Sequence, residues 1–141
     1  MTSKFRRIED SVDHRLLDQS KIEFLETADD HLRARWIVWP EALNTIGICH
    51  GMIPFGMADT IAAVLSNREE IKVTKDGTCF YHRTMYEGPV DAYAFYQKKG
   101  KVNSVVEVVF SQDGKRCFQA VFTMAGVRDG LRAELEGKDD A

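Results

Sequence analysis

The spacing of apolar residues changes period several times along the chain. Phe5, Ile8, Val12 and Leu16 recur at helical intervals among charged neighbours, which predicts a short helix over residues 1–20. From Lys21 the period drops to two. Ile22 and Phe24 start an alternation, "TADD" reads as a turn, and Leu32, Ala34, Trp36 and Val38 continue on one face, the pattern of a two-stranded hairpin. Pro40 stops the second strand, because proline has no N–H for the ladder.

"NTIGICHGMIPFGMADTIAAVLS" then runs from Asn44 to Ser66 with Asp59 as its single formal charge. From Gly51 onward it reads as one long apolar helix, with Pro54 near the start, where a missing N–H costs nothing. "SNREE" is a solvated break. Thr78, Phe80, His82, Thr84 and Tyr86 then alternate with Cys79, Tyr81, Arg83 and Met85 as a strand that "EGP" ends. Three more strands follow in "VDAYAFYQ", "VNSVVEVVF" and "RCFQAVFTM", the last two joined by an Asp113-Gly114 hairpin turn. Residues 21–127 thus form one domain, and residues 128–141 a charged tail.

A helix apolar on nearly every side has to be wrapped by the sheet. The predicted class is α+β: one curved antiparallel sheet around a central helix. Its edge strands and outer face invite a second subunit.

Composition narrows the function. The 141 residues are 44% hydrophobic and 29% charged with net charge −3, so no overall attraction to nucleic acid or anionic lipid follows. The charged start of the chain has no apolar signal-peptide core, and the apolar stretch is too interrupted to span a membrane, which sets the expectation of a cytoplasmic protein. Cys49, Cys79 and Cys117 show no CxxC or zinc-like spacing, so no metal is expected and the thiols read as reduced. Nucleophile-elbow, phosphate-loop and zinc-helix signatures are absent.

What remains is Asn44, Gly47, His50, Gly51 and Asp59. Gly51 stands where a loop enters the helix, so its N–H points outward from the positive end of the helix dipole, a position suited to a developing oxyanion. Asp59 is a carboxylate in apolar surroundings, expensive unless paired or used. Eight residues of helix separate the two by roughly 12 Å, too far to grip one carbonyl within one chain. Two antiparallel copies of the helix would bring them together. Bland roles stand beside these: a turn residue for Asn44, a structural imidazole for His50, and backbone geometry for the glycines. Cys49 adjoins His50, but sequence neighbours on an irregular loop rarely face each other. Lys98, Lys99 and Lys101 read first as a solvated hairpin tip.

"NTIGICHGMIPFGMAD" resembles the Asn-x-x-Gly-x-x-His-Gly-Gly…Asp pattern of hotdog-fold acyl-CoA thioesterases of the PaaI-like group, and the likeness extends from about Lys21 to Val127. The resemblance implies a hotdog fold and hydrolysis of an acyl-CoA or acyl-carrier-protein thioester. It implies no cofactor, CoA being part of the substrate, and a homodimer or homotetramer with sites across the subunit interface. It makes Asp59 the catalytic carboxylate, as general base or nucleophile, and Gly51 the oxyanion donor. Asn44 and His50 become groups that orient the thioester or water and brace the loop. A hydroxyl on the strand after the helix often accompanies the carboxylate, and Thr78 is the nearest candidate. Met52 replaces the second glycine, implying a tighter loop or a smaller acyl pocket, and "YEGPV", His82 and Arg83 also depart from the pattern. A hotdog dehydratase or hydratase using His50 with Asp59, and a non-catalytic acyl-CoA binding module, stay open as alternatives.

Overall fold

In the computed structural model, residues 22–68 and 70–127 are described; the helix expected over 1–20 and the tail 128–141 lie outside them. The element order is β1 (Glu23–Thr27), β2 (His31–Val38), a single 3-10 turn (Pro40–Ala42), α1 (Met52–Ser66), β3 (Lys72–Tyr81), β4 (Gly88–Lys98), β5 (Asn103–Gln112) and β6 (Lys115–Gly126). The strands form one six-stranded sheet in the order β1-β2-β4-β5-β6-β3, every pairing antiparallel.

Strict alternation builds the inner face. Leu32, Ala34, Trp36 and Val38 of β2 are buried while Arg33, Arg35 and Ile37 are exposed. Val90, Ala92 and Ala94 continue this layer on β4, Val106, Val108 and Phe110 on β5, and Phe118, Ala120, Phe122 and Met124 on β6. Against it α1 lays Ile53, Met57, Ala58, Ile61, Ala62 and Leu65, the recurrence expected of one helix face on a sheet. The α+β architecture expected from the sequence is present. Coverage of the helix is incomplete, however. Met52 is exposed, and Gly56, Asp59, Thr60, Ala63 and Val64 are only half-buried, so part of an apolar helix stays open in the single chain.

One strand lies elsewhere than its residues suggested. The strand expected over Thr78–Tyr86 begins at Lys72 and ends at Tyr81. A bulge between Thr74 and Asp76 puts two residues of β3 against one of β6 and resets the alternation, which hides the first half of the strand in a charged stretch. Beyond Tyr81 the chain leaves the sheet, because the N–H groups of His82 and Arg83 both donate to the Cys117 carbonyl. β3 is therefore an edge strand, and Val73, Phe80 and Tyr81 on it are exposed.

Gly77 explains how close this edge comes to the helix. A Cβ there would lie 2.9 Å from Phe122 Cδ1 and 3.1 Å from Phe55 Cζ. Gly77→Ala is expected to cost about 1–3 kcal/mol through overpacking, read as a lowered midpoint in urea unfolding with unchanged slope.

An imidazole bridges two carboxylates at the β1–β2 hairpin. His31 sits with Nε2 3.0 Å from Glu26 Oε1 and Nδ1 2.8 Å from Asp30 Oδ1. Hydrogen bonds to Glu26, then to Asp30, raise the imidazole above its ordinary 6.5. Folding therefore favours the charged ring, and the stability it contributes is complete below the ordinary value and lost as pH climbs through the raised one. The stability advantage of the wild type over His31→Gln should be largest below pH 6.5 and shrink as pH climbs above it, as urea titrations at each pH would show.

Candidate active site

The loop before α1 is held by its own polar groups. Asn44 Oδ1 accepts from the N–H groups of Ile46 (3.1 Å) and Ile48 (3.2 Å), and Asn44 N–H donates to Ile48 O (2.8 Å). Gly47 N–H returns to Asn44 O with φ at +82°, a conformation that favours glycine. Cys49 N–H reaches Met85 O and His50 N–H reaches Ala42 O, which tie the loop's end to its surroundings. Asn44 thus closes the loop on itself through its side-chain oxygen, and its amide NH₂ has no acceptor among the described residues.

His50 caps the helix. Its Nδ1 accepts from Met52 N–H at 3.1 Å and its carbonyl from Ile53 N–H at 2.9 Å. A neutral ring that accepts at Nδ1 carries its proton on Nε2, so the exposed nitrogen is a donor. Gly51 N–H, which precedes these two bonded N–H groups, has no acceptor among the described residues. Gly51 adopts ordinary right-handed helical angles (φ −57°, ψ −28°), so its backbone does not require glycine. Its carbonyl accepts from the Tyr81 hydroxyl.

Asp59 lies two turns further along α1, half-buried, and accepts at Oδ1 from Thr74 Oγ1 at 2.5 Å. Oδ2 has no hydrogen-bond partner among the described residues. This hydroxyl is the one that a Ser or Thr on the following strand was expected to supply, and it comes from Thr74 instead of Thr78. Thr78 pairs across the ladder with Val121, whereas Gly77 pairs with Phe122 of the buried layer. Thr78 therefore belongs to the outer face, away from α1. The bulge before Asp76 reverses the parity that the sequence suggests, and no sequence signal marks it.

The structure brings Asn44, His50 and Gly51 together in one loop, with Met52 exposed beside them, and sets Asp59 apart with Thr74. Thr74 and Tyr81 are the residues that sequence reasoning missed. Burial, with Cys117 second, pushes the Cys49 thiol up to about 11, and its Sγ faces His50 O at 3.7 Å, not the ring. A cavity of about 370 Å³ beside Arg68, Lys72, Lys99 and Lys101 opens next to Leu65, at the other end of α1, roughly 20 Å along the helix from Gly51. Among the described residues no cluster of three His, Cys, Asp or Glu side chains could hold a metal, and no helix is long and apolar enough to cross a membrane.

No protein-family model matches the chain, and no curated protein is similar enough to match. Solved structures do match. The E. coli PaaI protein from the phenylacetic acid degradation operon superposes with a TM-score of 0.76 at 21% identity, over 85% of this chain and 87% of that one. A hypothetical thioesterase from Streptococcus pneumoniae, solved with coenzyme A, gives 0.72 at 22% identity over 77% and 87%. A Streptococcus mutans protein bound to acetyl CoA gives 0.72 at 22% over 75% and 88%. The fold of this chain is the hotdog fold.

Proposed function

We propose that this chain is an acyl-CoA thioesterase of the PaaI-like kind, working as at least a dimer. The observation that carries the reading is the division of the site along α1. A carboxylate oriented by a threonine hydroxyl sits on the same helix as an unpaired N–H at the helix start, too far apart to serve one carbonyl within a chain. Antiparallel pairing of two β3 edges would set the Asp59 of one copy against the Gly51 of the other. It would also cover the exposed Val73, Phe80 and Tyr81 and use the open backbone groups of the edge. The streptococcal neighbours solved with coenzyme A or acetyl CoA lend support at the level of ligand class. The pneumococcal protein has also been solved with an aspartate, and separately a threonine, replaced by alanine.

In this mechanism the thioester carbonyl oxygen lies on Gly51 N–H, where the helix dipole favours negative charge. Asp59, fixed through Oδ1 by Thr74, uses its free Oδ2 either to take a proton from water as the water attacks the carbonyl carbon, or to attack that carbon itself. The tetrahedral intermediate then collapses and the C–S bond breaks. On the general-base route the thiolate leaves with the proton that Asp59 took from water. On the covalent route water cleaves the acyl anhydride on Asp59, which gives the free acid and supplies the thiol's proton. The Asn44 NH₂ and the His50 Nε2–H are donors available to orient water or acyl oxygen. Met52, 64% exposed beside the oxyanion donor, would narrow the acyl entrance.

His50 bears on the dehydratase alternative. A hydratase base needs a free imidazole lone pair, and the one on Nδ1 is occupied by Met52 N–H. That favours thioester cleavage over β-carbon chemistry.

The test is free-thiol release from short, medium, long and aromatic acyl-CoA esters. Enoyl-CoA hydration and equilibrium binding of the same esters would be measured beside it. Turnover of at least one ester is expected. Hydration of an enoyl-CoA without thiol release would establish the hydratase instead, and saturable binding without any turnover the binding module.

A further inference from the structure

β3 touches α1 at three points spaced one helical turn apart. Thr74 Oγ1 donates to Asp59, Phe55 lies over Gly77, and the Tyr81 hydroxyl donates to the Gly51 carbonyl. Residues 51, 55 and 59 lie four apart and form one stripe of the helix, and the edge strand runs antiparallel along it. Both residues assigned to the chemistry are therefore fastened to the same strand, Asp59 at its carboxylate by a threonine and Gly51 at its carbonyl by a tyrosine.

We infer that Tyr81 is a positioning residue, whose hydroxyl fixes the Gly51–Met52 peptide so that Gly51 N–H faces the substrate carbonyl. The inference rests on the thioesterase reading for its catalytic consequence. The tether itself stands on geometry. Glycine has more backbone freedom than any other residue, and Gly51 is the hinge between an irregular loop and α1. Its following peptide is held at both ends, the carbonyl by Tyr81 and the Met52 N–H by His50 Nδ1. With that plane fixed, rotation about the bonds of Gly51 is restricted, and so is the direction of its own N–H.

The tyrosine is itself anchored. Its ring packs edge-to-face on Phe118 with centroids 5.1 Å apart, and a Cβ placed on Gly51 would meet its Cε1 at 3.8 Å, ordinary contact distance. Burial, with the Cys79 thiol beside it, pushes the phenol up to about 12. The hydroxyl thus keeps its proton and donates throughout the neutral range.

Tyr81→Phe isolates the hydrogen bond, since the ring stays on Phe118 and Gly51. Two readouts are needed on the intact chain: steady-state thiol release with the best ester of the panel, and hydrogen exchange at the Met52 amide. The expected result is a fall in kcat of about tenfold with KM within about twofold, as misplacement of one oxyanion donor predicts. Met52 exchange should be about tenfold faster, with little change in the unfolding midpoint. An unchanged kcat in an active protein, or unchanged Met52 exchange, overturns the assignment. If the wild type cleaves no ester, the thioesterase reading fails by itself, and Met52 exchange alone decides the tether.

Discussion

Asp59→Asn should lower kcat by about 10³-fold or more while leaving the protein folded. Loss of a general base in this position typically removes two to four orders of magnitude, and loss of a nucleophile removes the covalent route altogether. The amide is close to isosteric with the carboxylate. Thr74 Oγ1 can still donate to the amide oxygen in place of Oδ1, so the contact between α1 and β3 survives. What the substitution removes is the negative charge and the free lone pairs of Oδ2, the atom without a hydrogen-bond partner among the described residues. A structural carboxylate would behave differently: its replacement would lower the unfolding midpoint and leave turnover in proportion to folded protein. Urea unfolding of both proteins beside the kinetics separates these cases. Full turnover in a well-folded Asp59→Asn would remove Asp59 from the mechanism.

Much of this arrangement was legible in the residues, because the strongest signals concern burial. Leu32, Ala34, Trp36 and Val38 alternate without interruption, and all four are buried on β2. Asp113 and Gly114 both adopt positive φ in the β5–β6 turn, as a two-residue hairpin requires. The start of α1 was readable from the glycine and proline around it. The position of β3 was not, since one extra residue near Lys75 interrupts the period and the stretch is an edge with little to bury. The same bulge concealed Thr74 and made Thr78 the apparent partner of Asp59. The contact between Tyr81 and Gly51 joins residues 30 positions apart, and no local pattern encodes a bond of that range. Asn44 and His50 fall between these extremes. Their residue types mark a bonded loop, but only the geometry shows that the Asn44 carbonyl is spent inside the loop and that His50 offers its exposed nitrogen as a donor.

Gly51→Ala should separate stability from activity in the opposite sense to most substitutions near a helix start. Gly51 has right-handed helical angles, and an added Cβ would meet nothing in this chain closer than the Tyr81 ring at 3.8 Å. Alanine at such a position restricts the unfolded chain, and the folded state should gain up to about 1 kcal/mol. Nothing inside the chain therefore calls for glycine at this position. If the Gly51 N–H receives a thioester carbonyl, the substrate must approach the backbone within hydrogen-bond distance from the side where the methyl would project or close beside it. A methyl there would push the oxyanion off its donor, and removing one such donor costs about 10²–10³-fold in kcat. The expected outcome is a protein with an equal or higher urea midpoint and kcat/KM lower by about 10²-fold on the best ester. Wild-type turnover in Gly51→Ala would mean that the carbonyl is held elsewhere, and the oxyanion role would pass to another donor, with the Asn44 NH₂ and His50 Nε2–H next in line. A collapse of both stability and turnover, with loss of the dimer in analytical ultracentrifugation of the variant, would mean that the subunit interface leaves no room for a methyl at Gly51.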